Sequence, residues 1–260
     1  MAGQNATLYE VRDGAAWITL NRPEVRNALS SELVTELYDH LGEAESDDSA
    51  RCIVLTGAGK GFCSGADLKN PPGMVRDGGR AVPYPEVLTR IWEGSKPVIA
   101  AINGPAFAGG LGLVGASDIV ITSDKAQFSF SEVKIGVIPA VISVVCLRKL
   151  GAHHGMRLFL TGERFDGPQA VAYGLAHKAV PPEELAAAVQ EEIEAIRKAG
   201  PNAVAECKKL VRQVPEHSLH EGFELTGKWS ARLFASDEAA EGMAAFREKR
   251  DPRWVSEGKV

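Results

Sequence analysis

GFCSGADLK, residues 61–69, follows the apolar run Cys52–Thr56, and a second small-residue turn, NGPAFAGGLGL at residues 103–113, follows the apolar run 97–102. Small residues let a backbone approach a ligand closely, and a turn that opens a helix leaves N–H groups free to bind an anion. If the two turns meet, they line an oxyanion hole with backbone groups alone. The pattern therefore predicts chemistry on a carbonyl or a thioester.

Length, charge and cysteine content restrict the class of protein. The chain has 260 residues, which suffice for one large domain or for one domain with an appendage. A net charge of −5 argues against nucleic acid or an anionic membrane as the main partner. The four cysteines have no CxxC spacing and are interpreted as reduced thiols. Since neither a signal peptide nor an 18-residue apolar run is visible, we expect a cytoplasmic protein.

Strand and helix patterns alternate along the first two thirds of the chain, which is typical of an α/β layer structure. Strands are predicted at 8–12, 16–20, 52–56, 98–102, 118–122 and 177–180. Helices are predicted after a cap at Ser30 or Ser31, then at 86–92, 110–116, 144–150, 153–160 and 167–173, with three more within 183–250. The dipeptide Asp13-Gly14 between the first two strands predicts a hairpin.

The chain is expected to consist of a core, residues 1–200, and a C-terminal helical region, residues 201–260. The helices of the second part have too few apolar partners to form an independent core. We therefore expect them to pack on the main body or on another subunit. Segment 70–83 is rich in proline and glycine and is predicted to be a mobile loop.

The segment GLGLVG at residues 110–115 matches the glycine pattern G-x-G-x-x-G of dinucleotide-binding proteins. Glu132 lies 20 residues beyond Gly112, where that pattern expects an acidic residue. Its context argues against that function. The preceding strand ends near Ile102, so the motif does not follow it directly. The next strand starts at Asp118, whereas a crossover connection normally needs about a dozen residues. A nicotinamide or flavin enzyme is therefore the weaker alternative.

Several segments, in order and at matching spacing, resemble the crotonase (enoyl-CoA hydratase/isomerase) family over essentially the whole chain. They are LNRP at 20–23, NAL at 27–29, FCSGADL at 62–68, PVIAAING at 97–104, the stretch from AQF at 126 through Glu132 to GVIP at 136–139, and EGMAAFREKR at 241–250. The resemblance implies a crotonase-like ββα spiral core with a C-terminal helical trimerisation region. It also implies a homotrimer, or a homohexamer built from two trimers.

The resemblance also implies the catalytic groups. The N–H groups of Ala66 and Gly109 would form the oxyanion hole for an acyl-CoA thioester, where each such donor is worth about 3–4 kcal/mol. Glu132 would transfer the proton, for which a raised carboxyl pKa is useful. The alternatives are that Ala66 and Gly109 are ordinary turn residues, and that Glu132 is a surface glutamate paired with Lys134.

Coenzyme A binding is likewise implied by the resemblance. The residues that would contact the substrate are Ser64, Ala66, Asp67, Leu68, Lys69, Gly109, Phe246 and Lys249. Lysine suits a phosphate because its ammonium group is a compact charge. Phe246 and Lys249 would close the CoA site, often from a neighbouring subunit, and Arg26 is a weaker phosphate candidate. No metal is predicted, and no cofactor beyond the coenzyme A of the substrate.

One position departs from the family pattern. Many hydratases of the family carry a second glutamate where this chain has Gly112, and two carboxylates can divide the acid and base roles. With one carboxylate, Glu132 must do both or another group must help, and Asp118 is interpreted as structural. Some branches of the family also have small residues at this position, among them bacterial hydratases that resemble those acting on methylglutaconyl-CoA. The segments SEV at 131–133 and IPAVIS at 138–143 are similar to segments of those hydratases.

The predicted function is hydration of an enoyl-CoA. The alternatives are double-bond isomerisation, another crotonase-fold reaction on an acyl-CoA, and a catalytically inactive CoA-binding homologue. The acyl group would be selected by segments 70–83 and 137–145.

Overall fold

The strands form two sheets in the computed structural model, which describes residues 5–74 and 80–256. The strands are β1 (Thr7–Arg12), β2 (Ala15–Leu20), β3 (Cys52–Gly57), β4 (Val98–Ile102), β5 (Ala106–Phe107), β6 (Ile119–Ser123), β7 (Gln127–Ser129), β8 (Phe165–Asp166) and β9 (Lys178–Val180). The main sheet has the order β1-β2-β3-β4-β6-β9, and a small sheet has the order β5-β7-β8. In the main sheet β1 and β2 are antiparallel, whereas the other pairs are parallel.

The hairpin predicted at Asp13-Gly14 is confirmed. Both residues have positive φ, 54° and 77°, as the tight two-residue turn between antiparallel strands requires.

Helices cover both sides of the main sheet and make up the C-terminal part. They are α1 (Ser31–Ser46), α2 (Tyr84–Glu93), α3 (Gly109–Ala116), α4 (Ala140–Thr161), α5 (Gly167–Ala172), α6 (Leu185–Lys198), α7 (Pro201–Gln213), α8 (Leu219–Phe234), α9 (Asp237–Glu248) and α10 (Arg253–Ser256). Ser30 caps α1, since its side chain accepts from the N–H of Leu33. Among the described residues, no helix is long and apolar enough to cross a membrane.

The helix predictions for two stretches of the chain have different outcomes. The prediction of three helices within 183–250 is wrong, because α6 to α9 occupy that stretch. Prolines do not mark every boundary there: the serine cap Ser236, which accepts from the N–H of Ala239, starts α9 directly after α8. The two helices predicted around residue 151 are confirmed as two arms of α4, because Gly151 interrupts it with φ 64° and ψ 173°.

Side chains alternate between two apolar cores on the two faces of the main sheet. In β3, Ile53 and Leu55 belong to the larger core, which also contains buried side chains of α1 to α5. Cys52 and Val54 belong to the smaller core, to which α6 contributes Val189.

An ion cluster joins the C-terminal region to the main body. The carboxylate of Asp118 lies 2.9 Å from Lys208 Nζ and 2.5 Å from Arg212 Nη2, both on α7. Asp118 also accepts from the N–H of Val98. Lys208 Nζ donates further to the carbonyl of Ile91. Asp118 is therefore structural, as expected, and the exact boundary near residue 200 stays a prediction.

Replacing Asp118 by asparagine is expected to lower the free energy of unfolding by about 3 kcal/mol, because it leaves two cations poorly solvated without their counterion. The side chain of Lys208 is only 5% exposed. Chemical denaturation measures the loss. The matched control is Asp39→Asn, which breaks an exposed pair with Arg80 and should cost less than about 1 kcal/mol. Equal effects of the two substitutions would contradict a stabilising role for the cluster.

Candidate active site

The two small-residue turns lie side by side because their backbones are paired. The N–H of Phe107 donates to the carbonyl of Cys63 over 2.9 Å, and the N–H of Cys63 donates to the carbonyl of Pro105 over 3.1 Å. Gly65 lies so close to the second turn that a Cβ there would be 2.9 Å from Ala108 Cβ and 3.3 Å from the nitrogen of Gly109. The lack of a side chain at Gly65 therefore permits this close approach.

Two backbone N–H groups border the space between the turns. The first turn pairs with Leu29, whose N–H donates to Gly65 O and whose carbonyl accepts from Asp67 N, so that the intervening Ala66 N–H is not used. Within residues 5–74 and 80–256, the N–H groups of Ala66 and Gly109 donate to no protein acceptor. A Cβ on Gly109 would lie 3.6 Å from the nitrogen of Ala66. The two donors therefore lie close together where the turns meet.

The backbone before Gly109 is strained. Ala108 has φ 47° and ψ −123°, a region that favours glycine. This conformation turns the chain from β5 into α3. The contacts of α3 must therefore hold the turn in place.

Glu132 is brought to the same region by the small sheet. Phe107 pairs with Ser129 in the parallel β5–β7 ladder, and the N–H of Ala108 donates to Ser129 O over 3.0 Å. Gly109 follows β5 and Glu132 follows β7, so the two residues leave the sheet at the same end. Glu132 lies in the 3-10 turn Ser131–Ile135.

Burial raises the pKa of the Glu132 carboxyl. Its Oε2 is buried and has no hydrogen-bond partner in the described part of the chain. The alternative of a surface glutamate paired with Lys134 is wrong, since no ion pair joins those side chains among the described residues. A half-buried carboxyl with a raised pKa is suited to accept and return a proton.

The space beside Gly112 is occupied by other side chains. A Cβ on Gly112 would lie 2.8 Å from Tyr84 Oη and 2.7 Å from Ile142 Cγ2. Tyr84 was not predicted from the sequence as a residue of this site. Tyr84 is the first residue of α2, whose apolar face includes Val87 and Leu88, and its buried position follows the pattern of an ordinary core residue.

The rest of α3 is held by α4. Cys146 Sγ lies 3.2 Å from Leu111 O, and Lys149 Nζ donates to the carbonyls of Val114 and Ser117 at the end of α3. Burial lowers the pKa of Lys149 to about 8 and raises that of Cys146 to about 12. Neither residue was predicted from the sequence to have this function.

The predicted CoA-binding stretch 64–69 forms one ordered turn. Asp67 pairs with Arg22 over 3.0 Å and accepts from the N–H of Lys69. Burial opposes ionisation of Asp67, but the hydrogen bond from Lys69 and the guanidinium of Arg22 outweigh it and lower its pKa. The Asp67 side chain therefore holds the turn. Leu68, in the same turn, is 80% exposed to solvent.

A cavity of about 210 Å³ borders both turns and carries two cationic residues, Arg26 and Lys60. Ser64 and Phe107 form other parts of its lining. Arg26 was a weak phosphate candidate in the sequence, and Lys60 was not predicted, although it directly precedes the first turn.

The predicted contact of Phe246 and Lys249 with the CoA site stays a prediction. Phe246 is 87% exposed near the end of α9, and Lys249 has a left-handed conformation after it. No hydrogen bond or ion pair in the described residues links either one to the first turn.

Of the segments predicted to select the acyl group, 137–145 is apolar and partly exposed: Ile138 is 74% and Val144 66% exposed, whereas Ile142 and Val145 are buried. Val141 and Val144 line a groove of about 400 Å³ between α4 and α2, with Leu88 on the other side. Within segment 70–83, Met74 O accepts from the Ser31 hydroxyl. Residues 75–79 of the predicted mobile loop lie outside the described residues.

Comparison with known proteins gives concordant matches over more than 90% of the chain. The family model "Enoyl-CoA hydratase/isomerase" matches residues 10–257. Enoyl-CoA hydratase EchA19 of Mycobacterium tuberculosis is 34% identical over 253 residues, 95% of either chain. Carnitinyl-CoA dehydratase of Proteus mirabilis is 35% identical over 244 residues, 91% of this chain and 93% of that protein. The crystal structure of an enoyl-CoA hydratase/isomerase from Marinobacter aquaeolei superposes with a TM-score of 0.86 at 34% identity, covering 96% of this chain and 99% of that one.

Proposed function

This chain belongs to the enoyl-CoA hydratase/isomerase family, and we propose that it is an enoyl-CoA hydratase, which adds water across the double bond of an α,β-unsaturated acyl-CoA. One observation carries the proposal. The N–H groups of Ala66 and Gly109, which have no acceptor among the described residues, border a single space at the sheet end from which Glu132 also emerges.

The proposed reaction uses these groups in two steps. Glu132 accepts a proton from water as the water oxygen bonds to the β-carbon of the substrate, and the electron pair of the double bond moves onto the thioester oxygen. The N–H groups of Ala66 and Gly109 stabilise the resulting enolate oxygen, about 3–4 kcal/mol for each donor. Protonated Glu132 then returns the proton to the α-carbon, and the enolate becomes the 3-hydroxyacyl-CoA.

The coenzyme A arm is proposed to follow the first turn. At Ser64 this turn borders the cavity that holds Arg26 and Lys60, whose charges suit the phosphates of CoA. Lys69 is proposed as a further phosphate contact. Phe246 and Lys249 would complete the site in a homotrimer or homohexamer, in which a neighbouring subunit supplies them. The reaction then needs no metal and no cofactor other than this substrate group.

Isomerisation is the second candidate function, and the space beside Gly112 favours it. A second carboxylate has no room there in the present arrangement, because Tyr84 and Ile142 fill it. Moving a double bond needs one base and the oxyanion hole only. Similarity to methylglutaconyl-CoA hydratases stays a prediction, since the relatives named above do not carry that name. A cytoplasmic location also stays a prediction.

A panel of acyl-CoA thioesters tests the proposal with the purified full chain. Hydration of crotonyl-CoA and of branched enoyl-CoA thioesters should remove the absorbance of the conjugated thioester. Isomerisation of 3-enoyl-CoA thioesters should instead create it. Binding of coenzyme A without turnover of any thioester would overturn the hydratase proposal and leave an inactive CoA-binding homologue. NAD is included as a control and should not protect the protein against thermal unfolding.

A further inference from the structure

A buried phenol holds the helix that carries the Gly109 donor. Tyr84 is 9% exposed, and its Oη donates to the carbonyl oxygen of Gly109 over 2.5 Å. That carbonyl belongs to the first residue of α3, so the hydrogen bond fixes the peptide directly after the Gly109 N–H. The Gly109 N–H itself belongs to the peptide that starts at Ala108, which has the strained φ of 47°.

The glycine at 112 makes room for this contact. A side chain at Gly112 would bring its Cβ to within 2.8 Å of Tyr84 Oη, closer than real Cβ atoms approach an oxygen. The Tyr84 hydroxyl therefore occupies the space that a side chain at position 112 would need. The absence of a carboxylate at Gly112 and the buried position of the phenol thus go together.

The phenol stays protonated and so remains a donor. Burial raises the pKa of Tyr84 well above 10, and the nearby thiols of Cys63 and Cys146 and the Glu132 carboxylate act in the same direction.

We propose that Tyr84 is a positioning residue of the oxyanion hole: its hydroxyl holds the first turn of α3 against the strain at Ala108, so that the Gly109 N–H keeps its direction toward the thioester oxygen. This inference rests on the proposed function, since it assigns to Tyr84 a part in stabilising the enolate. Tyr84 itself transfers no proton in this arrangement.

The test uses Tyr84→Phe, which keeps the buried ring and removes the hydrogen bond. The probe is acetoacetyl-CoA, whose enolate has its own ultraviolet absorbance, so that a pH titration of the bound thioester measures how strongly the site stabilises an enolate. The expected shift is about one pH unit upward in the midpoint of enolate formation. For crotonyl-CoA, kcat is expected to fall about tenfold while KM stays within about twofold, because the ground state makes less use of the hole.

Two further variants make the result specific. Gly112→Ala keeps the phenol but places a methyl group against its oxygen, so it should reproduce the upward shift in the enolate midpoint. Tyr38→Phe is the matched control: Tyr38 lies on α1 with its ring against Arg90 of α2, and loss of its hydroxyl should leave the midpoint unchanged.

An unchanged midpoint in Tyr84→Phe overturns the inference. If kcat then falls, Tyr84 is a proton-transfer group; if kcat is unchanged, Tyr84 is a packing residue. A wild-type protein that does not lower the midpoint below that of free acetoacetyl-CoA also overturns it, because there is no hole to position. A Tyr84-dependent midpoint without hydration of any enoyl-CoA supports the inference and contradicts only the hydratase proposal.

Discussion

Glu132→Gln is expected to reduce kcat for enoyl-CoA hydration by about 10⁴-fold, at the upper end of the contribution of a positioned acid–base group. The reason is that one carboxyl takes both proton-transfer roles, since Tyr84 and Ile142 occupy the space for a second carboxylate. The amide has nearly the shape of the carboxyl, so the dissociation constant of CoA should change little. Steady-state hydration of crotonyl-CoA and calorimetric CoA binding measure the two quantities.

Glu183→Gln provides a matched control for the same substitution. Glu183 is exposed and, like Glu132, is the second residue of a 3-10 turn, but it lies after β9 and away from the paired turns. It should keep the wild-type kcat. A fully active Glu132→Gln protein would show that another group moves the proton.

Glu132→Gln should also raise the free energy of unfolding at neutral pH. Burial raises the folded-state pKa of Glu132 above 4.5, so the folded protein binds more protons than the unfolded chain between 4.5 and the raised pKa. The stabilisation from Glu132 is therefore complete below pH 4.5 and is lost as the pH rises through the folded-state pKa. The Tm of Glu132→Gln relative to wild type should increase across this window, and kcat/KM of the wild type should fall as the pH drops through it. A Tm difference that does not depend on pH would contradict this linkage.

The parts of the fold that could be predicted are those with a local cause. Asp13-Gly14 favours a tight turn, Ser30 caps a helix, and the apolar runs at 52–56 and 98–102 are long enough to show a buried strand. The strands β5 and β8 have two residues each. No periodicity is visible over two residues, and these strands exist because distant segments pair with them.

The site could be predicted only where its groups are carried by the turns themselves. The sequence placed Ala66 and Gly109 in two turns and showed that residue 112 is not a carboxylate. It did not show that Tyr84, 28 residues away in sequence, fills that space, because a buried aromatic residue that starts an amphipathic helix follows the pattern of the core. Contact of Phe246 and Lys249 with the first turn stays a prediction, because a neighbouring subunit is expected to supply them and one chain does not specify that contact.

Gly109→Ala is expected to lower kcat for hydration by about 10²–10³-fold, or about 3–4 kcal/mol of transition-state stabilisation. The added methyl would lie 3.6 Å from the nitrogen of Ala66, in the space where the thioester oxygen must sit. The backbone can accept alanine, because Gly109 is not among the residues with positive φ. Leu29 Cδ1, at 3.1 Å, lies at the end of a flexible side chain and can move. Steady-state hydration of crotonyl-CoA measures the change.

The matched control for this substitution is Gly227→Ala in α8, where a Cβ would meet no atom within 4 Å in the described structure. Alanine is the better helix former by about 1 kcal/mol, so this variant should be as active as the wild type and slightly more stable. The acetoacetyl-CoA titration then separates the causes in Gly109→Ala. A raised midpoint of enolate formation is expected if the methyl blocks the hole. A lowered kcat with an unchanged midpoint would mean that the oxyanion is bound elsewhere, because occupation of this space would then have no effect on the enolate.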